Sequence, residues 1–116
     1  VVVGRPIGKH QGIACPVAEA KMRLDAAELM IRKASWMLDS GLPCGAEANM
    51  AKWLAADACF FAADRAMQTH GGFGYASEYH VERYWREARL QKIAPISQEM
   101  IQNYVAEHVL ELPRSY

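Results

Sequence analysis

Between Val17 and Leu38 the apolar residues fall at heptad spacing: Val17, Leu24, Ile31 and Leu38 form one row, and Ala20, Ala27 and Ala34 the next. Such rows share one side of a helix, and alternating large with small residues lets a partner helix come close. Lys21, Arg23, Asp25, Glu28, Arg32 and Lys33 occupy the outer face. The pattern predicts a helix from about Pro16 to Ser40. Pro16 would sit in its first turn, where a missing N–H costs nothing, and Gly41 and Pro43 would end it. Met50, Leu54 and Phe61, with alanines at 51, 55, 58, 62 and 66, predict a second helix from about Ala46 to His70. Val81, Tyr84, Trp85 and Ala88 put an apolar stripe on a shorter charged helix from Glu78 to about Leu90. There Glu82–Arg86 and Arg83–Glu87 stand at pairing distance. Met100, Ile101, Tyr104, Val105, His108 and Val109 predict a last helix from Gln98 to Leu110, capped by Ser97 after the break at Pro95.

No segment alternates polar and apolar residues long enough to read as a strand. Gly4, Pro6, Gly8 and Gly12 make the start irregular or extended. The expected fold is all-α, an antiparallel up-and-down four-helix bundle forming a single domain over residues 1–116.

One stretch departs from the periodicity: Gln68-Thr69-His70-Gly71-Gly72-Phe73-Gly74-Tyr75. Its glycines stop a helix, each costing about 1 kcal/mol against alanine in a helix interior. Gly71-Gly72 would close the second helix as a left-handed cap does. The glycines also remove the Cβ atoms that would hold a ligand or another chain away. A dinucleotide fingerprint is excluded, because that motif follows a strand and here a helix precedes the glycines. Gln68 and Thr69 add an amide and a hydroxyl, and Phe73 and Tyr75 add flat surfaces, so a helix stop and a ligand approach both remain open. His70, beside free carbonyls at a helix end, suits hydrogen bonding to them better than acid–base work. Arg83, Arg86 and Arg89 could line up for a phosphate, but the interleaved Glu78, Glu82 and Glu87 favour a structural ion-pair network. Asp57 and Asp64 share a face and suit solvent or salt bridges.

Composition narrows the classes. The 116 residues carry thirteen basic and thirteen acidic side chains, which argues against nucleic-acid or membrane-surface binding through bulk charge. No run reaches the ~18 apolar residues of a membrane span, and the start lacks a signal peptide's basic and apolar regions. Cys15, Cys44 and Cys59 form no paired motif and read as reduced thiols, and the four histidines show no metal-ligand spacing. The opening Val1-Val2-Val3-Gly4 reads like the interior of a longer polypeptide.

The order and spacing of several blocks resemble the C-terminal helical domain of the acyl-CoA dehydrogenase family. The blocks are Gly4-Arg5-Pro6-Ile7 with His10-Gln11; Ala51-Lys52; Gln68 through Tyr75; Glu78-Tyr79-x-Val81-Glu82-Arg83; Arg86-Glu87-Ala88-Arg89; and Ser97-Gln98-Glu99. The resemblance implies the last part of a three-domain enzyme that uses FAD to remove the α and β hydrogens of an acyl-CoA thioester. A carboxylate takes the proton and the flavin takes the hydride. It also implies a homodimer or homotetramer, an electron-transfer flavoprotein as acceptor, and a cytoplasmic or mitochondrial-matrix location. Carried over by position, Gln11 would contact the dinucleotide. Gln68, Thr69, His70, Gly71 and Gly72 would meet the adenosine or pyrophosphate end of a neighbouring subunit's FAD. Ser97, Gln98 and Glu99 would face phosphates from a helix N-terminus. Many members carry the catalytic glutamate in a Tyr-Glu-Gly-Thr segment before the last helix. Here the segment reads Ala94-Pro95-Ile96-Ser97, with Pro95 at the base's place, so no catalytic residue is assigned. Two other readings stay open: a flavin monooxygenase or oxidase of the same fold, and a helical oligomerisation module without chemistry of its own.

Overall fold

The computed structural model describes residues 4–115; the expected irregular start therefore lies partly outside the described residues. The chain is all-helical, as the periodicity predicts. A 3-10 turn at Ile7–Lys9 leads into α1 (Gln11–Asp39), α2 (Gly45–His70), the single turn α3 (Gly72–Tyr75), α4 (Val81–Leu90) and α5 (Gln98–His108), with a second 3-10 turn at Ser77–Tyr79.

α2 is the centre. α1, α4 and α5 each run alongside it, and among the described residues none of those three comes within 8 Å, Cα to Cα, of another. The molecule is accordingly long, 55 × 27 × 25 Å, with a radius of gyration of 17.6 Å; a compact chain of this length would have about 13 Å. Small residues fill the buried positions: Ala20, Ala27 and Ala34 on the one face that α1 buries, and Ala51, Ala56 and Ala58 around α2. The row of large residues expected with the α1 alanines is not there. Val17, Leu24, Ile31 and Leu38 are 40–67% exposed. Facing alanines bring the helix axes close, and side chains one step round the helix are pushed to the rim.

Ion pairs set the register. Lys33 reaches Glu47 at 3.0 Å and Arg23 reaches Asp57 at 3.2 Å, so ten residues down α1 match ten up α2. Asp57 also accepts from Lys92 at 2.8 Å, linking α1, α2 and the segment after α4. Asp64 holds Arg65 and the Trp85 indole N–H. Both aspartates are thus salt-bridged.

Three local expectations are corrected. α1 starts at Gln11, so Pro16 lies inside the helix. It deprives only the exposed Gly12 carbonyl of a donor, and Gly12 sits near the helix start, where water can replace it. α4 starts at Val81 rather than Glu78 because His80 adopts a left-handed conformation, φ 59° and ψ −1°, after the 3-10 turn; histidine is among the residues enriched there. Among the described residues the arginines of α4 do not form an ion-pair network. Arg86 pairs with Glu82 at 2.7 Å, whereas Arg83 lies over the Tyr84 ring and Arg89 over Phe60.

Candidate functional site

The residues marked by sequence assemble at two places on α2. Continuing the α1–α2 register sets Gln11, the first residue of α1, level with Thr69, so Gln11 and Gln68–Gly72 share one end of the molecule. The Ser97–Glu99 segment instead packs near Trp53, through a Gln98 Nε2 bond to the Trp53 carbonyl at 3.2 Å. At 1.5 Å per residue, Trp53 and His70 are about 25 Å apart along α2.

At the first place the three glycines have three different reasons. Gly71 takes φ 60° and ψ −139°, and its N–H donates to Met67 and Gln68 carbonyls. Its φ has the sign of a left-handed cap but its ψ lies elsewhere, so the chain turns directly into α3. A side chain there would be strained whatever surrounds it. Gly74 is buried, and a Cβ on it would lie 2.8 Å from the Met67 carbonyl oxygen and 3.0 Å from the His70 Cβ. Gly72 needs to be glycine for neither reason: its φ is ordinary and a Cβ on it would meet nothing within 4 Å. Backbone and neighbours alike leave this position open to an outside group.

Around Gly72 the polar groups divide. Thr69 Oγ1 donates to the Arg65 carbonyl at 2.7 Å, and His70 Nδ1 sits 2.8 Å from the Ala66 carbonyl, as expected of a histidine at a helix end. Gln68 and Gln11 are exposed, with no hydrogen-bond partner for their side chains among the described residues. Phe73 and Tyr75 are also exposed, and the Phe73 ring packs tilted against Tyr79, 5.2 Å between centroids and 55° between planes.

At the second place Ser97 caps α5 as predicted, its Oγ accepting from Met100 N at 3.3 Å. Gln98 N donates to the Lys92 carbonyl, so among the described residues Glu99 alone of residues 98–100 keeps a backbone N–H without a protein acceptor. Gln98 is 7% exposed, and its Oε1 is buried without a partner. A hollow of about 340 Å³ opens here, lined by Trp53, Arg89, Lys92, Ser97, Gln98 and Glu99 among others. Arg89 carries no ion pair among the described residues, and Trp53 Nε1 is buried without an acceptor. Sequence reasoning passed over Trp53 and assigned Arg89 to a network it does not join. The signal for Arg89 was its spacing: it stands two turns along α4 from Glu82 and two residues from Glu87, neither of them a pairing distance. For Trp53 there was none, because a tryptophan on an apolar helix reads as core.

The segment before α5 holds no carboxylate: residues 94–97 are Ala, Pro, Ile and Ser, and the Ala94–Pro95 bond is cis. No helix among the described residues is long and apolar enough to cross a membrane.

Comparison with known proteins matches residues 1–110 to the description "Acyl-CoA dehydrogenase, C-terminal domain". The chain is 49% identical over 113 residues to acyl-CoA dehydrogenase FadE12 of Mycobacterium tuberculosis, covering 96% of this chain and 29% of that protein. Its structure matches butyryl-CoA dehydrogenase from Megasphaera elsdenii with a TM-score of 0.91 at 32% identity, over 95% of this chain and 29% of the other. It also matches the prolyl acyl carrier protein oxidase AnaB with a TM-score of 0.90 at 28% identity, over 94% and 29%. The chain thus spans under a third of the length of each.

Proposed function

Because the chain belongs to the acyl-CoA dehydrogenase family and corresponds to its C-terminal domain, we propose that it is the FAD-binding and subunit-joining part of a three-domain enzyme that oxidises the Cα–Cβ bond of an acyl-CoA thioester. The observation that carries the cofactor reading is Gly72, a glycine that neither backbone nor packing requires and whose missing side chain leaves room for an outside group. FAD when bound supplies the hydride acceptor. The chain's own residues bind and orient it. Gln68 offers an uncommitted amide and Gly71–Gly72 an approachable backbone, and these would meet the FAD of a neighbouring subunit, with Gln11 alongside. Thr69 and His70, tied to their own helix, would fix the end of α2 and leave their remaining hydrogen-bonding capacity to the ligand. Ser97 holds the first turn of α5 in place so that the free Glu99 N–H, the Gln98 carbonyl and Arg89 line one polar hollow. These residues fit a group with both anionic and uncharged hydrogen-bonding parts, as a flavin dinucleotide has.

The roughly 25 Å between the two places supports sharing of cofactors across a homodimer or homotetramer. Electrons would leave to an electron-transfer flavoprotein, in the cytoplasm or the mitochondrial matrix. The base lies elsewhere in the polypeptide in this reading. A second reading, a flavin oxidase of the same fold, is favoured by the likeness to AnaB and by the absence of a carboxylate at 94–97.

The test uses the complete polypeptide. Purified enzyme is expected to carry flavin absorbance that bleaches anaerobically with an acyl-CoA and returns on adding electron-transfer flavoprotein. Oxygen consumption without acceptor reduction selects the oxidase. Protein that holds no flavin and responds to no acyl-CoA leaves only the oligomerisation module.

A further inference from the structure

The Lys52 ammonium donates to two backbone carbonyls, Gln91 at 2.6 Å and Ile96 at 2.7 Å, and joins no ion pair among the described residues. Gln91 is the C-cap of α4, where exposed carbonyls favour a cation. Ile96 immediately precedes Ser97, the N-cap of α5. One side chain of α2 therefore clasps both ends of the segment between α4 and α5. Its neighbours act in the same sense: Gln98 Nε2 ties the first residue of α5 to the Trp53 carbonyl beside Lys52, and Gln98 N ties it to Lys92. The buried Gln98, its Oε1 unpartnered, lines the hollow that this corner forms. Charge-assisted bonds to two carbonyls are among the stronger contacts a lysine can make.

We propose that Lys52 is the positioning residue of the α5 cofactor contact: by clasping Gln91 and Ile96 it sets where the Ser97 cap, the free Glu99 N–H and Gln98 meet the flavin dinucleotide. The proposal rests on the FAD reading above.

The experiment uses the full-length enzyme stripped of flavin. FAD titration gives Kd, amide exchange by mass spectrometry reports residues 97–101 and α1 separately, and thermal midpoints are read without FAD. Lys52→Met is expected to raise Kd roughly tenfold, the scale of a lost charge-assisted bond, and to speed exchange at 97–101 while α1 is unchanged. Lys52→Gln, able to serve one carbonyl, should fall between, and it carries the test if the methionine variant does not fold. Lys52→Arg should stay within about twofold of the parent, since a guanidinium can serve both carbonyls. Ser97→Ala provides the reference for loss of the α5 contact. If Ser97→Ala weakens FAD while Lys52→Met changes neither Kd nor exchange, the role of Lys52 is overturned and the cofactor site stands. If both variants speed exchange at 97–101 yet keep the parental Kd, the cofactor reading of α5 fails and the proposal with it. A Lys52→Met enzyme whose exchange rises equally in α1 marks general destabilisation and also overturns it.

Discussion

The two ends of the candidate site are built by opposite means. At the end of α2 the chain is shaped by what is missing: Gly71 turns where a side chain would strain, Gly74 packs where a Cβ would collide, and Gly72 leaves a space. At the α4–α5 corner it is shaped by side chains brought in from afar, Lys52 clasping Gln91 and Ile96 across 39 and 44 residues of sequence and Gln98 reaching Trp53 across 45. A subtractive site tolerates little added bulk but depends on few partners. An additive site accepts changes of bulk at its rim and fails when a donor is lost.

The sharpest break in that comparison is Gly74→Val. With the Met67 carbonyl 2.8 Å from the new Cβ, overpacking should cost about 2 kcal/mol in a denaturant titration, whether or not FAD is present. Gly72→Val is its counterpart two residues away. Among the described residues nothing lies within 4 Å of an added Cβ, so stability should move by no more than about 0.5 kcal/mol while FAD affinity falls by about tenfold or more. Equal losses in both measurements would remove Gly72 from the ligand and make the whole turn structural.

Why one end was legible and the other was not follows from the same contrast. Missing side chains are local facts, so Gln68 to Tyr75 could be singled out from eight consecutive letters. The distinct duties of its three glycines could not, because φ at position 71 and the approach of Met67 to Gly74 belong to three dimensions. The helices too were readable where their signals are local: α2 begins at Gly45 against an expected Ala46, and Ser97 caps α5 as its position demanded. The α1 start was misplaced because Pro16 imitates a first-turn proline, and the α4 start because His80 carries a conformation usually announced by glycine or asparagine. The heptad row of α1 was misassigned because periodicity fixes which residues share a side, not which neighbouring row a partner prefers. The role of Lys52 has no sequence signature at all, since its acceptors are backbone carbonyls.

The smallest expected effect lies between the two ends, at Asp64. The Arg65 guanidinium, and after it the Trp85 indole N–H, hold its carboxyl below the usual aspartate range. A carboxylate with a depressed folded pKa adds stability above its unfolded value of about 3.9, and that stability disappears as pH falls through the folded value. Thermal midpoints of the parent and Asp64→Asn should therefore differ most above about pH 5 and converge in strong acid. A gap that stayed constant with pH would show that the effect does not come from the charge of Asp64.

Among the described residues α1, α4 and α5 each bring Cα atoms within 8 Å of α2 and not of one another, which makes the domain a hub with three spokes. Free-energy changes at distant sites on separate spokes should then largely add. Coupling is expected through residues of the hub that grip two spokes at once. Asp57 is one, with Arg23 of α1 on one oxygen and Lys92 after α4 on the other. Through that carboxylate an event at the outer helix becomes energetically visible beside the hollow.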